Sequence, residues 1–117
     1  MNRTPALALV TGLIAFQVAL AQPFPAKPLR LITQYQAGSG GDANLRAVAE
    51  PFGQFIGQPV VIENRPGAGG VVAAEYVARS APDGYTILGA SSATQVIRVW
   101  IARSMPFDPV KDFTPIT

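Results

Sequence analysis

Two glycine-rich segments contain the residues of this chain that are best suited to bind an anion. Residues 38–41 follow the predicted strand 29–33, and residues 63–70 follow the apolar run 59–62. A helical sequence pattern begins directly after each segment. A glycine-rich turn between a buried strand and a helix leaves backbone N–H groups free at the start of the helix, where the helix dipole also favours negative charge. The sequence therefore predicts two anion-binding turns.

A third loop of small polar residues follows the predicted strand 85–88 and carries the hydroxyls of Ser91, Ser92 and Thr94. The element order β-α-β-α-β predicts a parallel sheet with right-handed crossovers. In such a sheet all three loops emerge at the carboxyl ends of their strands, where ligands bind in open α/β sheets. Hydroxyls and free amides can hold a carboxylate. A single glycine loop could equally be a tight turn, but three loops at one edge favour a site.

The segments between these loops predict the elements that hold them. The first helix should begin at Asp42 as N-cap, bend at Pro51 and end at Gly57. Its apolar stripe at helical spacing predicts a buried face. The stripe consists of Leu45, Val48, Ala49, Phe52, Phe55 and Ile56.

The remaining elements are expected to alternate in the same way. Strand 59–63 is short and does not alternate, a pattern typical of a strand covered on both faces. A second helix is expected from residue 71 to about 81, a third at 95–103, and a final strand at 113–117, where the chain ends.

Composition excludes several classes of function. The chain of 117 residues has no Cys and no His, so it lacks Ser-His and Cys-His nucleophile pairs, His/Cys metal clusters and disulfides. Nine Lys and Arg against seven Asp and Glu give a net charge of +2 without a dense basic block, which argues against nucleic-acid binding. Composition therefore argues against a Ser-His or Cys-His nucleophilic enzyme and against a His/Cys metal site.

The N-terminal residues 1–21 predict a secretory signal peptide. Arg3 supplies the positive charge, residues 5–19 are apolar apart from Thr11 and Gln17, and the segment 19–21 (Ala-Leu-Ala) is a small-x-small cleavage pattern. The apolar run is short for a membrane span of about 20 residues, although an uncleaved anchor or a buried helix is the alternative. No Cys follows for lipid attachment, so we expect cleavage after Ala21 and export to an oxidising, extracytoplasmic compartment.

A dinucleotide-dependent enzyme is the alternative function. Residues 38–43 match the G-x-G-x-x-A fingerprint through Gly38, Gly40 and Ala43, and Glu63 lies 20 residues beyond Ala43, where a ribose-binding acid would lie. Three features count against it. An exported protein leaves the nucleotide pool, the second glycine-rich loop has no role, and residues 34–37 place the first glycine too late for the tight turn.

Three other side chains have two interpretations each. Arg65 could pair with a ligand carboxylate, but pairing with Glu63 is favoured. Asp42 could bind a ligand amino group, but capping is favoured. Tyr35 could cover a pocket or belong to the core.

Residues 58–70, Gln-Pro-Val-Val-Ile-Glu-Asn-Arg-Pro-Gly-Ala-Gly-Gly, resemble the signature of the tripartite tricarboxylate transporter substrate-binding receptors, the Bug or TctC-like proteins. Residues 81–86 and 106–113 follow at the family's places, so the resemblance covers nearly all of the chain after residue 21. It implies a monomeric periplasmic receptor of two α/β lobes, of the type II periplasmic-binding-protein-like fold. Such a receptor captures a small carboxylate for membrane transporter subunits and is not an enzyme.

Carried onto this sequence, the resemblance implies ligand contacts from all three loops. The implied ligand-binding residues are Tyr35, Gly38, Ser39, Gly40, Gly41, Asp42, Gly67, Ala68, Gly69, Gly70, Ser91, Ser92 and Thr94.

The chain departs from the family pattern in three places. Residues 34–42 differ from the commoner Pro-Phe-Pro-Pro-Gly-Gly form of the first loop, and residues 96–100 replace a segment around Asn-Pro. The sequence also stops inside a predicted strand, so we expect residues 22–117 to be an incomplete N-terminal lobe. Such a lobe would bind weakly or not at all and would be prone to aggregate. A truncated product without function is a further alternative.

Overall fold

A computed structural model describes residues 23–116 of the chain. The predicted signal peptide and its cleavage site lie outside the described residues. Within the described part, no helix has both the length and the apolar character that crossing a membrane requires.

A three-stranded parallel sheet forms the centre of the fold. Its strands are β1 (Leu29–Thr33), β2 (Val60–Asn64) and β3 (Thr86–Gly89), in the spatial order β2-β1-β3. The central strand β1 is the most buried, and Ile32 and Thr33 are fully inaccessible to solvent. The predicted α/β class with a parallel sheet is confirmed.

Three helices follow the strands of this sheet, and the first two pack on it. They are α1 (Gly40–Ile56), α2 (Val71–Ala78), which follows a 3₁₀ turn at Ala68–Gly70, and α3 (Arg98–Ile101), which follows a π-helical turn at Ala93–Ile97. Consecutive strand residues point to opposite faces. Asn64 of β2 bonds to Asp42 of α1, whereas its neighbour Glu63 belongs to a cluster that includes Tyr76 of α2. Helices α1 and α2 therefore lie on opposite faces.

The direction of the connections changes at β1. The chain crosses from β1 to the strand on one side, β2, and then crosses back to the strand on the other side, β3. In doubly wound sheets the carboxyl ends of the two strands at such a switch point flank the ligand crevice. Here those strands are β1 and β3.

The structure corrects the predicted start of α1 and confirms its predicted end. The prediction that Asp42 is the N-cap is wrong, because Ser39 occupies that position and its hydroxyl accepts a hydrogen bond from the Asp42 amide. The N-cap therefore lies three residues earlier than predicted, and the helix begins at Gly40. The predicted end is confirmed, since Gly57 has a left-handed conformation with φ of 71°. One continuous helix passes through Pro51.

The predicted burial of α1 and β2 is only partly correct. Ala49 is buried, but Val48 is 63% and Phe55 is 88% exposed. Strand β2 is an edge strand, and Val61 is 48% exposed, so the expected cover on both faces is wrong. The reason is the placement of the helices: α1 packs on β2, whereas α2 packs mainly on β3 and β1, so the other face of β2 is covered only in part, by the cluster around Glu63.

The C-terminal part of the described chain has less regular structure than predicted. The third helix is a π-helical turn joined to a short α-helix, and residues 113–116 do not form the expected strand. Phe107 is buried and packs edge-on against Phe113. The Asp108 carboxylate accepts hydrogen bonds from the backbone amides of Val110 and Lys111. These bonds hold the chain in a turn.

Candidate functional site

Gln34 connects the loops that follow β1 and β3. Its side-chain amide donates to the Ser91 hydroxyl at 2.8 Å, and its side-chain carbonyl accepts from the Thr94 hydroxyl. The Ser91 and Thr94 oxygens lie 3.3 Å apart, and Thr94 is only 1% exposed. Since Gln34 comes directly after β1, this buried network lies at the β1/β3 switch point.

The glycine-rich turn before α2 joins the same network. The Thr94 hydroxyl lies 3.1 Å from the Gly69 carbonyl, to which it can donate. Gly70 is buried with φ of 94°, and a Cβ built on it would overlap the Gln34 side-chain oxygen and the Thr94 hydroxyl. Only glycine combines this conformation with this close approach. Residues from all three predicted loops therefore meet around Gln34 and Thr94.

The first loop is anchored by the buried carboxylate of Asp42. The Arg46 guanidinium donates to it at 2.8 Å, the Asn64 side-chain amide at 2.8 Å and the Gly38 backbone amide at 2.9 Å. The bond from Arg46, followed by those from Asn64 and Gly38, holds the pKa of the Asp42 carboxyl well below its usual range. The carboxylate is thus ionised, and its contacts fix the shape of the loop.

Asn64 extends this anchor to Tyr35. Its side-chain amide also donates to the Tyr35 carbonyl at 2.9 Å. The Tyr35 ring lies over Gly41, where a built Cβ would be 2.5 Å from the ring. Glycine is therefore needed at this position, and Tyr35 covers the start of α1 as a half-buried aromatic.

The remaining predicted residues supply backbone donors at the surface. Among residues 23–116 the amides of Gly40 and Gly41, in the first turn of α1, have no hydrogen-bond partner. Ser92, Gly67 and Ala68 are exposed and lie outside the Gln34 network. Amides and hydroxyls of this kind bind an anion without proton transfer. Between residues 23 and 116 no group of three potential His, Cys, Asp or Glu metal ligands occurs.

Glu63 belongs to a separate cluster on the α2 face. Arg30 donates to both of its carboxylate oxygens, at 2.6 and 2.9 Å, and also to the Tyr76 hydroxyl at 2.6 Å. These bonds from Arg30 lower the pKa of the Glu63 carboxyl. The favoured pairing of Arg65 with Glu63 is confirmed at 3.5 Å, and Arg65 also stacks on the Tyr76 ring at 3.6 Å. Glu63 is therefore already occupied, which argues against the ribose-binding role of the dinucleotide alternative.

Three residues of this edge were missing from the sequence prediction. Gln34 and Asn64 are the side chains that join the loops, and Arg98 packs its guanidinium against Gly69. Asn64 lies inside the recognised segment 58–70, and Arg98 lies inside the segment 96–100 that departs from the family pattern. Both positions could have been suspected from those segments. Gln34 lies inside the segment 34–42, which also departs from the family pattern, so the same signal applied to it.

Two surface grooves of the described chain lie elsewhere. One, of about 580 Å³, runs between the C-terminal half of α1 and the start of β2, beside Ala49, Gly53 and Pro59. The other, of about 540 Å³, lies beside Lys27 and Tyr85. Both are near the amino ends of the strands and away from the converging loops. We favour the loop edge because free donors and the switch point coincide there.

Comparison with known proteins identifies the family. Residues 44–117, more than half of the chain, match the model of the tripartite tricarboxylate transporter family receptors. The chain belongs to this receptor family.

A UPF0065 protein of Bordetella bronchiseptica is 38% identical over 99% of the chain and 35% of its own length. The protein BugT of Bordetella pertussis is 35% identical over the whole chain and 37% of its own length. The chain therefore spans about one third of the length of these relatives.

Solved structures of periplasmic proteins share the fold. A structure described as a periplasmic transporter superposes with a TM-score of 0.74 at 40% identity, covering 80% of this chain and 32% of that protein. MatC from Rhodopseudomonas palustris, solved with bound malate, gives a TM-score of 0.75 at 34% identity, covering 80% and 32%. The recognised family and the parallel α/β architecture are thereby confirmed. The receptor family is one of solute-binding proteins rather than enzymes.

Proposed function

We propose that this chain forms one side of the carboxylate site of a periplasmic solute receptor. In this proposal the receptor captures a small di- or tricarboxylate reversibly and delivers it to the membrane subunits of a tripartite tricarboxylate-type transporter. Residues 22–117 would belong to the N-terminal lobe, after removal of residues 1–21. The protein would act as a monomer, without cofactor or catalysis.

The convergence of the three loops around Gln34 is the observation that carries this proposal. Ser91, Thr94 and Gly69 contact one another directly or through Gln34 at the β1/β3 switch point. Small ligands bind at this position in doubly wound sheets. The same edge offers the unpartnered amides of Gly40 and Gly41 at the first turn of α1, where the helix dipole favours an anion.

The chemistry of these donors favours a carboxylate over other ligands. Backbone amides and a hydroxyl donate hydrogen bonds to an oxyanion, and the carboxylates Asp42 and Glu63 are occupied by arginines. Within residues 23–116, the Asp42 and Glu63 carboxylates near these loops are thus not free to act as acid or base. Malate bound to the similar protein MatC is consistent with this ligand class, and we extend it to the present chain as part of the proposal.

Titration by NMR tests the proposal with the 117-residue chain. We expect malate to bind saturably but weakly, with a dissociation constant of about 1 mM or higher, because these loops contact a ligand from one side. The uncharged dimethyl ester of malate is the matched control and should not bind. Micromolar affinity would contradict a one-sided site, and equal binding of the ester would contradict a carboxylate site.

The same titration with NAD tests the dinucleotide alternative. The proposal predicts no saturable NAD binding. Binding of NAD that is lost in Glu63→Ala, without binding of malate, would replace the receptor proposal by the alternative.

A further inference from the structure

Arg98 stands next to the glycine-rich turn and has no carboxylate partner among residues 23–116. Six other Lys and Arg side chains in that range form ion pairs, so that Arg98 and Arg103 are the exceptions there. Arg98 is half-buried at the start of α3. A partly buried guanidinium without an anion keeps five N–H donors that can bind one.

The absence of a side chain at Gly69 makes room for this guanidinium. A Cβ built on Gly69 would collide with one terminal nitrogen of Arg98 and lie 3.3 Å from Cζ. The carbonyl of the same glycine is 3.1 Å from the Thr94 hydroxyl. The Gly69 carbonyl thus contacts the buried network around Thr94, and the Cα of Gly69 lies against the Arg98 guanidinium. The guanidinium is therefore beside the loop edge.

We infer that Arg98 is a specificity-determining residue that pairs with a carboxylate of the ligand. This inference rests on the proposed carboxylate site and adds a charged donor to its neutral ones. A planar guanidinium matches a carboxylate in a two-point arrangement that amides and hydroxyls alone do not provide. Arg98 thereby favours anionic ligands over neutral ones of the same shape.

A pair of matched charge removals tests this role. Arg98→Gln should weaken malate binding by about three- to tenfold, a range that allows for the partial exposure of the pair. Arg103→Gln removes the other unpaired cation and should leave the affinity unchanged. Arg98→Lys retains the positive charge but lacks the planar guanidinium that can bind a carboxylate at two points. This variant should bind malate with intermediate affinity. Binding by the wild type should weaken with added salt, and this dependence should be smaller in Arg98→Gln.

A measurement on the unmodified chain avoids any effect of the substitution on folding. Malate should shift the side-chain Nε–H resonance of Arg98 and leave that of Arg103 in place. Unchanged affinity and salt dependence in Arg98→Gln, with no shift of the Arg98 resonance, would overturn the role of Arg98 and leave the carboxylate site standing. Absence of any malate binding by the wild type would contradict both.

Discussion

The Thr94 hydroxyl donates a hydrogen bond to the side-chain carbonyl of Gln34, 60 positions earlier in the chain. This contact joins the loop after β3 to the loop after β1. The Gly69 carbonyl approaches the same hydroxyl at 3.1 Å, so one buried threonine organises the loops of all three strands. The candidate site therefore depends on long-range polar contacts as well as on glycine.

Replacement of Thr94 should loosen all three loops. Thr94→Val keeps the shape but leaves the carbonyls of Gln34 and Gly69 without this donor. We expect a loss of about 1–3 kcal/mol in the free energy of unfolding, as for buried acceptors that lose their partner. Ser92→Ala, an exposed neighbour, should change stability by less than about 0.5 kcal/mol. Urea denaturation of both variants measures the difference, and equal effects would contradict the central position of Thr94.

Gly70 should tolerate no side chain. Gly70→Ala meets a positive φ and overlaps two side-chain oxygens, so we expect destabilisation of at least about 1–3 kcal/mol. Gly40→Ala is the matched control, because a Cβ there meets open space in the first turn of α1. That change should be neutral or stabilise the chain by up to about 1 kcal/mol. Thermal melting of the two variants distinguishes them, and similar melting temperatures would show that Gly70 is not constrained.

Asp42 should make stability depend on pH in acid. Its pKa is lowered in the folded chain, so the unfolded state binds more protons as the pH falls. The stabilisation is present above the unfolded pKa of about 4 and is lost as the pH decreases below it. Asp42→Asn should be less stable than the wild type at pH 7, and its stability should fall less between pH values of about 5 and 2.

An uncharged change in the same turn controls for this effect. Ser39→Ala removes the N-cap of α1 and should cost about 1 kcal/mol at every pH. Urea denaturation at a series of pH values gives the free energy of unfolding against pH for the wild type, Asp42→Asn and Ser39→Ala. A wild-type curve parallel to that of Asp42→Asn would show that the carboxylate is not stabilised in the folded chain.

The elements were largely predictable because they follow from local patterns. The position of β1, the end of α1 at Gly57 and the grouping of the loops at one edge depend on apolar runs, glycine and strand order. The exposure of Phe55 and Val61 was not predictable, because an apolar residue does not reveal which element packs against it. The sequence predicts a strand at 113–117, but residues 113–116 are irregular and pair with no strand of the sheet.

The meeting of the three loops was predicted through their glycines and hydroxyls, but the side chains that connect the loops were not. Gln34 and Asn64 act on residues 18 or more positions away, and no spacing rule indicates such partners. The misplaced N-cap has a local cause. Ser39 and Asp42 are both good capping residues, and the choice between them depended on the bonds that Asp42 makes with Arg46 and Asn64.

Mapping the malate site on the backbone tests the central claim most directly. The account predicts that malate shifts the amide resonances of residues 38–41, 67–70 and 91–94, while those around Ala49 and Pro59 in the large groove stay unchanged. Thr94→Val should reduce these shifts. Shifts confined to the groove between α1 and β2, or unaltered binding in Thr94→Val, would contradict a carboxylate site at the β1/β3 switch point.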